Sequence, residues 1–222
     1  MSSSESLRLE QFRADFLDLS IEAAFSVGPG ERLVLNGPSG SGKTSIFRFI
    51  SGLNAPGEVR GRVYLGAQEI TQLPPERREL GVVFQEAQLF PNLSILENAA
   101  FGLKVRGVEK KERRSRVMPW LERCGLGRSA EASPLSLSGG EKQRLALVRA
   151  LAWGPRALLL DEPFSALDPV SRREMGDWLM ELHRENPVPL VLVTHDPDEA
   201  ARVGARILAV QIEKGCFRWR ER

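Results

Sequence analysis

The segment Arg32–Ile50, "RLVLNGPSGSGKTSIFRFI", constrains this chain more than any other. A short, mostly apolar strand pattern (RLVLN) runs into nine residues rich in Gly and Ser, then into apolar positions 46, 47, 49, 50 and 53 at helical spacing. A strand feeding a helix through a glycine loop is the opening of a parallel-sheet unit. The loop fits G-x-x-x-x-G-K-[ST] at Gly37, Gly42, Lys43 and Thr44. Glycines let successive amides face inward as a nest for phosphate oxygens, and the following helix adds the positive end of its dipole. Lys43 supplies a mobile positive charge for β- and γ-phosphates, and Thr44 offers a hydroxyl to Mg²⁺. A flexible linker has no need of Lys-Thr at its end, nor of a strand and a helix on either side. The expected phosphate contacts are Gly37, Pro38, Ser39, Gly40, Ser41, Gly42, Lys43, Thr44 and Ser45.

A second strand pattern, "RALLLDEP", delivers Asp161 and Glu162 to a strand's C-terminal end, the edge where open parallel sheets bind ligands. Asp161 is placed to hold Mg²⁺, and Glu162 to polarise a water attacking the γ-phosphate. Alone, such a pair would equally cap the next helix. A third motif, "LSGGE" at 137–141, opens a helix with Ser138 as N-cap and Glu141 three residues on as a capping box. The bland reading is a well-capped helix. The functional one is a second anion site made by the amides of Gly139 and Gly140, the Ser138 hydroxyl and the helix dipole.

At this point the chain resembles the nucleotide-binding subunit of ATP-binding cassette (ABC) transporters, for which LSGG[QE] is the defining signature. The resemblance covers nearly the whole chain, with the motifs in the family's order. Gln85, after "LGVVF" and 53 residues before Ser138, matches the glutamine loop. Ser165-Ala166-Leu167-Asp168 matches the loop after the second carboxylate motif, and His195 in "LVLVTHD" the switch histidine. The resemblance implies ATP and Mg²⁺ as ligands and two subunits packed head to tail. The phosphate loop of one subunit then faces Ser138, Gly139, Gly140 and Glu141 of the other, with Asp168 beside them. It implies Glu162 as general base, His195 on the γ-phosphate, and Gln85 as a sensor of Mg²⁺ and water. A lone strand-end histidine would otherwise be structural, and a lone Gln a surface residue.

The family often stacks an aromatic on adenine. Phe16 is the candidate by spacing, with Phe12 and Phe25 as competitors that core packing would equally explain. Near the C-terminus the chain departs from the family, with Ala205 where many members carry an acid before "RI".

The fold class expected is α/β: a P-loop NTPase core with a mixed, mainly parallel sheet, an N-terminal antiparallel β-subdomain and an inserted helical subdomain. The N-terminal stretch through Val27 reads as one or two antiparallel strands and "EVRGRVYLGAQEI" as a hairpin. Residues 86–153 read as helical throughout, giving one domain over 1–222 with 86–153 as the insertion. After it, "RALLLD", "PLVLVTH" and "ARILAVQI" read as strands alternating with helices.

Lys and Arg total 31 against 29 Asp and Glu, a net charge of +2, which gives no bulk case for nucleic acid. The run "EKKERRSR" at 109–116 reads as a solvated helix face. Two distant cysteines, Cys124 and Cys216, argue against a disulfide framework or zinc site. No secretory signal or membrane span is expected. The implied partners are a second copy or a similar ATPase subunit, integral membrane permease subunits and a periplasmic substrate-binding protein, at the cytoplasmic face of the inner membrane. "FPNLSILENAAFGL" resembles the helical entry of bacterial importer subunits, where a permease helix docks. The chain ends 27 residues after His195, as expected of a compact importer ATPase without an added regulatory domain. An exporter or lipoprotein-release ATPase is the alternative. A non-transport ABC protein of ribosomes or chromosomes, or a recombinase-like P-loop motor, fits 222 continuous residues with "LSGGE" less well.

Overall fold

The computed structural model describes residues 6–17, 19–165, 167–203, 206–213 and 215–221. Ala166 and Ala205 lie outside them. In chain order the elements are β1 (Leu7–Asp15), β2 (Ser20–Val27), β3 (Arg32–Asn36), α1 (Lys43–Ser51), β4 (Glu58–Leu65), β5 (Gln68–Glu69) and β6 (Leu80–Val83). Then come α2 (Ile95–Ala99), α3 (Phe101–Val105), α4 (Lys110–Arg123), α5 (Gly139–Leu151), β7 (Ala157–Asp161), α6 (Pro169–Glu185), β8 (Leu190–Thr194), α7 (Pro197–Val203), β9 (Arg206–Glu213) and β10 (Cys216–Glu221). Two compact units result. One comprises Met1–Val82, Arg156–Glu162 and Gly176–Arg222; the other comprises Val83–Pro155 and Pro163–Met175.

The first unit is built on a mixed α/β sheet of ten strands, ordered β5-β4-β1-β2-β10-β9-β3-β8-β7-β6. β3 lies parallel to both β8 and β9, and β7 parallel to β8. Strands β3, β7 and β8 are buried along almost their whole length, as parallel strands covered on both faces must be. The N-terminal strands pair antiparallel, β1 with β2 and with β4. One strand that periodicity did not suggest, β10, runs parallel to β2 and antiparallel to β9, making the antiparallel and parallel sets one sheet. Within β1 a bulge at Gln11 (φ +51) shifts the pairing register. Leu7 and Leu9 are buried before it and Phe12 and Ala14 after it, so the inward parity changes by one residue.

The helix that follows the phosphate loop is closed by an arginine. α1 ends at Gly52, which is left-handed at φ +78. Arg78, 5% exposed, donates from Nη1 to the carbonyls of Phe49 and Ile50, both at 2.8 Å, and from Nε to Leu73 O at 2.8 Å. Its Nη2 donates to Thr71 O. A guanidinium on the last carbonyls satisfies helix-end acceptors and opposes the negative end of the dipole. A Cβ at Gly52 would come within 2.5 Å of Arg78 Nε, so the two residues depend on each other.

In the second unit, α4 carries the run 109–116 on a mostly exposed face, where Arg114 pairs with Glu131 and Arg116 with Glu112. Fully buried Asn98 pins the segment ahead of α2: its Nδ2 donates to the carbonyls of Phe90, Leu93 and Ser94, and its Oδ1 accepts from Phe90 N at 2.8 Å. Arg149 of α5 holds the preceding stretch through Gln88 O (2.8 Å) and Ala87 O (2.9 Å). Cys124 and Cys216 are both buried and free. Among the described residues, no helix is long and apolar enough to cross a membrane.

Arg78→Leu should lower the stability of the protein by about 2–4 kcal/mol, because buried helix-end carbonyls lose their charged donors. Chemical denaturation would measure it, and a midpoint unchanged from wild type would show that Arg78 is dispensable.

Candidate functional site

The segment 37–45 folds into a loop held together by its own polar groups. Ser41, 1% exposed, turns its hydroxyl back onto Pro38 O at 2.8 Å, and its amide donates to the same carbonyl at 3.3 Å. Gly42 is left-handed, φ +92, and a Cβ there would come within 2.3 Å of Ile21 Cδ1, so only glycine fits. Gly37 and Ser45 are buried, whereas Pro38, Ser39, Gly40 and Thr44 are exposed. Lys43, the first residue of α1, is 6% exposed and donates from Nζ to the carbonyls of Gly37 at 2.6 Å and Pro38 at 2.8 Å. Burial pushes this ammonium down, while Glu162 and Asp161 push it back up.

The loop opens on a cleft of about 490 Å³ lined by Phe16, Ser39, Gly40, Lys43, Thr44 and Glu162, among others. Of the three phenylalanines considered, Phe16 is the one on the cleft. Phe12 is in the core, edge-on to Phe49 at 5.3 Å, and Phe25 is buried on β2. The Phe16 ring sits against Gly57 (φ +83), where a Cβ would come within 3.1 Å of it.

The acidic pair stands at the end of β7. Burial, followed by the neighbouring Glu162, pushes the Asp161 carboxyl up to about 6, with Lys43 pulling the other way. Glu162 leaves the strand with φ +43, a left-handed conformation that costs a non-glycine residue on the order of 1 kcal/mol. Its amide donates to Val193 O of β8 at 2.9 Å. Two residues beyond Val193, His195 places Nδ1 3.2 Å from Glu162 Oε1, with the histidine largely exposed and the glutamate largely buried. The turn carrying His195 is fixed on both sides. Thr194 donates its hydroxyl to Glu199 at 2.5 Å and accepts from Asp196 N at 3.0 Å, and Asp196 Oδ1 accepts from the amides of Asp198 and Glu199 at the start of α7. One hydroxyl (Thr44) and one carboxylate (Asp161) fall short of a full coordination shell, and such a set suits Mg²⁺, which keeps waters and phosphate oxygens as its remaining ligands.

The second unit holds the remaining predicted residues. Gln85 is exposed and donates from Nε2 to Ser165 Oγ at 3.2 Å. Ser138 caps α5 in a capping box with Glu141, whose carboxylate accepts from Ser138 N (2.8 Å) and Ser138 Oγ (2.7 Å). Those bonds hold the Glu141 carboxyl below its usual range. Gly139 is exposed, and among the described residues a Cβ there would meet no atom within 4 Å, while one at Gly140 would meet Leu167 Cδ2 at 3.7 Å. Among the described residues, no packing requires either glycine. Asp168 Oδ1 accepts from Val170 N (3.0 Å) and Ser171 N (3.1 Å), capping α6, and the Ser171 side chain, followed by these amides, holds the carboxyl low.

The family model described as ABC transporter matches residues 22–165. The chain belongs to the ABC transporter family. It is 42% identical over 207 residues to the probable sulfate/thiosulfate import ATP-binding protein CysA of Chlorella vulgaris, covering 93% of this chain and 84% of that protein. To the sulfate/thiosulfate import ATP-binding protein CysA of Nephroselmis olivacea it is 44% identical over 198 residues, covering 89% of this chain and 55% of that one. To the Fe(3+) ions import ATP-binding protein FbpC 2 of Rhizobium meliloti it is 45% identical over 184 residues, 83% of this chain and 46% of that one. The chain spans about half the length of the last two relatives. The ABC transporter match takes in the phosphate loop, Gln85, the Ser138 cap and the acidic pair, and ends before His195.

Sequence reasoning passed over one residue behind the phosphate loop. Trp219 of β10, 4% exposed, donates from its indole Nε1 to Ser41 O at 3.1 Å. The apolar positions Cys216, Phe217 and Trp219 among the charges of "CFRWRE" were the available signal.

The raised Asp161 pKa has a signed consequence for the ligand-free protein. The folded state keeps this proton up to about pH 6, against 3.8 for the unperturbed group, so it binds more protons than the unfolded chain between those values. This group's contribution to stability therefore falls as pH rises from about 4 to about 6 and stays low above. Asp161→Asn should raise the melting temperature of ligand-free protein at pH 7.5, with the gain shrinking at pH 4.5. Equal shifts at both pH values would contradict this.

Proposed function

We propose that the chain hydrolyses ATP as the ATP-binding subunit of an importer. The observation that carries this reading is the gathering of a glycine-rich loop, the Lys43 ammonium, Phe16 and Glu162 around one cleft, with His195 on the Glu162 carboxylate. The loop amides and Lys43 bind the phosphates, and Phe16 takes the adenine face. Thr44 and Asp161, with Gln85, would hold Mg²⁺, which would supply positive charge to the phosphate groups. Glu162 accepts the proton of the attacking water. The Nδ1 contact steadies the His195 ring for its Nε2 to meet the γ-phosphate.

Two copies pack head to tail and enclose two ATP molecules. Ser138, Gly139 and Gly140 of one copy, with Glu141 behind the cap and Asp168 alongside, complete the site on the other. The exposed Gly139 supports this, since a helix start without internal need of glycine leaves bare backbone for something outside the chain. Residues 86–153 act as a helical subdomain of a single ABC domain over 1–222, and the segment after Gln85 docks a membrane permease at the cytoplasmic face. Import is favoured over export because the relatives named above are import proteins, two for sulfate or thiosulfate and one for Fe(3+). A periplasmic binding protein would deliver the solute.

Glu162→Gln should keep ATP binding, lower hydrolysis by at least about 100-fold and shift the protein to a dimer on size exclusion in ATP. Hydrolysis at the original rate would remove Glu162 from the role of base. Gly139→Ala should leave melting unchanged or raise stability by about 0.5–1 kcal/mol while suppressing ATPase turnover. An active Gly139→Ala variant would count against the head-to-tail site.

A further inference from the structure

We infer that Trp219 is a positioning residue for nucleotide binding, an indole that holds the phosphate loop in its ligand-ready shape from behind. The inference rests on the ATP-binding reading above.

One ring backs both ends of the loop. At the far end, the indole Nε1 donates to Ser41 O at 3.1 Å in a buried bond. At the near end, the ring lies so close beneath Gly37 that an added Cβ would come within 3.0 Å of Trp219 Cη2, and within 3.4 Å of Val210 Cγ1. Between these points Pro38, Ser39 and Gly40 are exposed, and the internal bonds of Ser41 to Pro38 O close the arch. A nest of amides binds an anion well only if its peptide planes are oriented beforehand; otherwise the ligand must supply the ordering free energy. Trp219 fixes one of those planes directly.

The strand bearing the indole is itself tightly located. Trp219 is opposite Ala23 of β2 and Val210 of β9. On the other face of β10, Arg218 donates from Nε to Glu22 Oε2 at 3.0 Å and from Nη1 to Glu213 Oε2 at 2.7 Å, bridging both neighbouring strands. Simple core packing would require only that the ring be buried. It would require neither a donor on a loop carbonyl nor a glycine opposite the ring.

Trp219→Phe keeps an aromatic ring and removes the donor. A buried hydrogen bond of this kind predicts a three- to tenfold rise in Kd for Mg-ADP by calorimetry and in KM for ATP, with kcat at saturating ATP within about twofold of wild type. In wild-type protein, the ¹⁵N-indole NMR resonance of Trp219, assigned by its absence from the Phe variant, should move on addition of Mg-ADP. Unchanged Kd and KM in a folded Phe variant would overturn the inference, whatever the melting temperature does. If that variant does not fold, Trp219→His or Trp219→Tyr supplies the assignment, and an indole resonance insensitive to Mg-ADP would overturn it equally. Wild-type protein that binds neither ADP nor ATP would instead overturn the functional reading, and this inference with it.

Discussion

A positive charge taken out of water must be answered by its surroundings, and here that charge is the ammonium of Lys43. Two loop carbonyls accept from it at 2.6 and 2.8 Å, so the loop curls around its own lysine. The acids that interact with it arrive by topology. β3, which leads into the loop, and β7, which ends in Asp161, both flank β8, and all run in one direction. Their C-terminal ends therefore share one edge, and the lysine, the carboxylates and the histidine after β8 meet there without any long connection having to be ordered.

The local chemistry of this edge was legible in the sequence because it is written in short, contiguous patterns. A strand, a glycine loop and a helix start can be read from 32 to 51, and a Ser138–Glu141 capping box is a four-residue signal that the structure reproduces bond for bond. What escaped reading depends on partners far away in the chain. Arg78 looks like any surface arginine until α1 ends against it. β10 has charges at three of its six positions and hides a buried tryptophan among them. The bulge at Gln11 moves the inward face of β1 from odd to even positions, which is why Phe12 is in the core. A period-two pattern cannot show that shift before the pairing is known.

Strain and exposure are placed differently in the two units. In the first, Glu162 is held in a left-handed conformation, and the cost is met by its amide bond to β8 and by the buried strands on either side. In the second, the segment from Ala87 to Ser94 has little regular structure of its own, yet Asn98 and Arg149 take up its carbonyls one after another. Irregular backbone held this firmly presents a defined surface while remaining free of the flat edges that strands expose.

The bond between Trp219 and Ser41 joins residues 178 positions apart. On a ribosome adding roughly 5–20 residues per second, the loop would wait on the order of 10–35 seconds for its indole. During that interval the glycine-rich segment exists without the support that shapes it. A strand distant in sequence thus completes the shape of a loop that is made early.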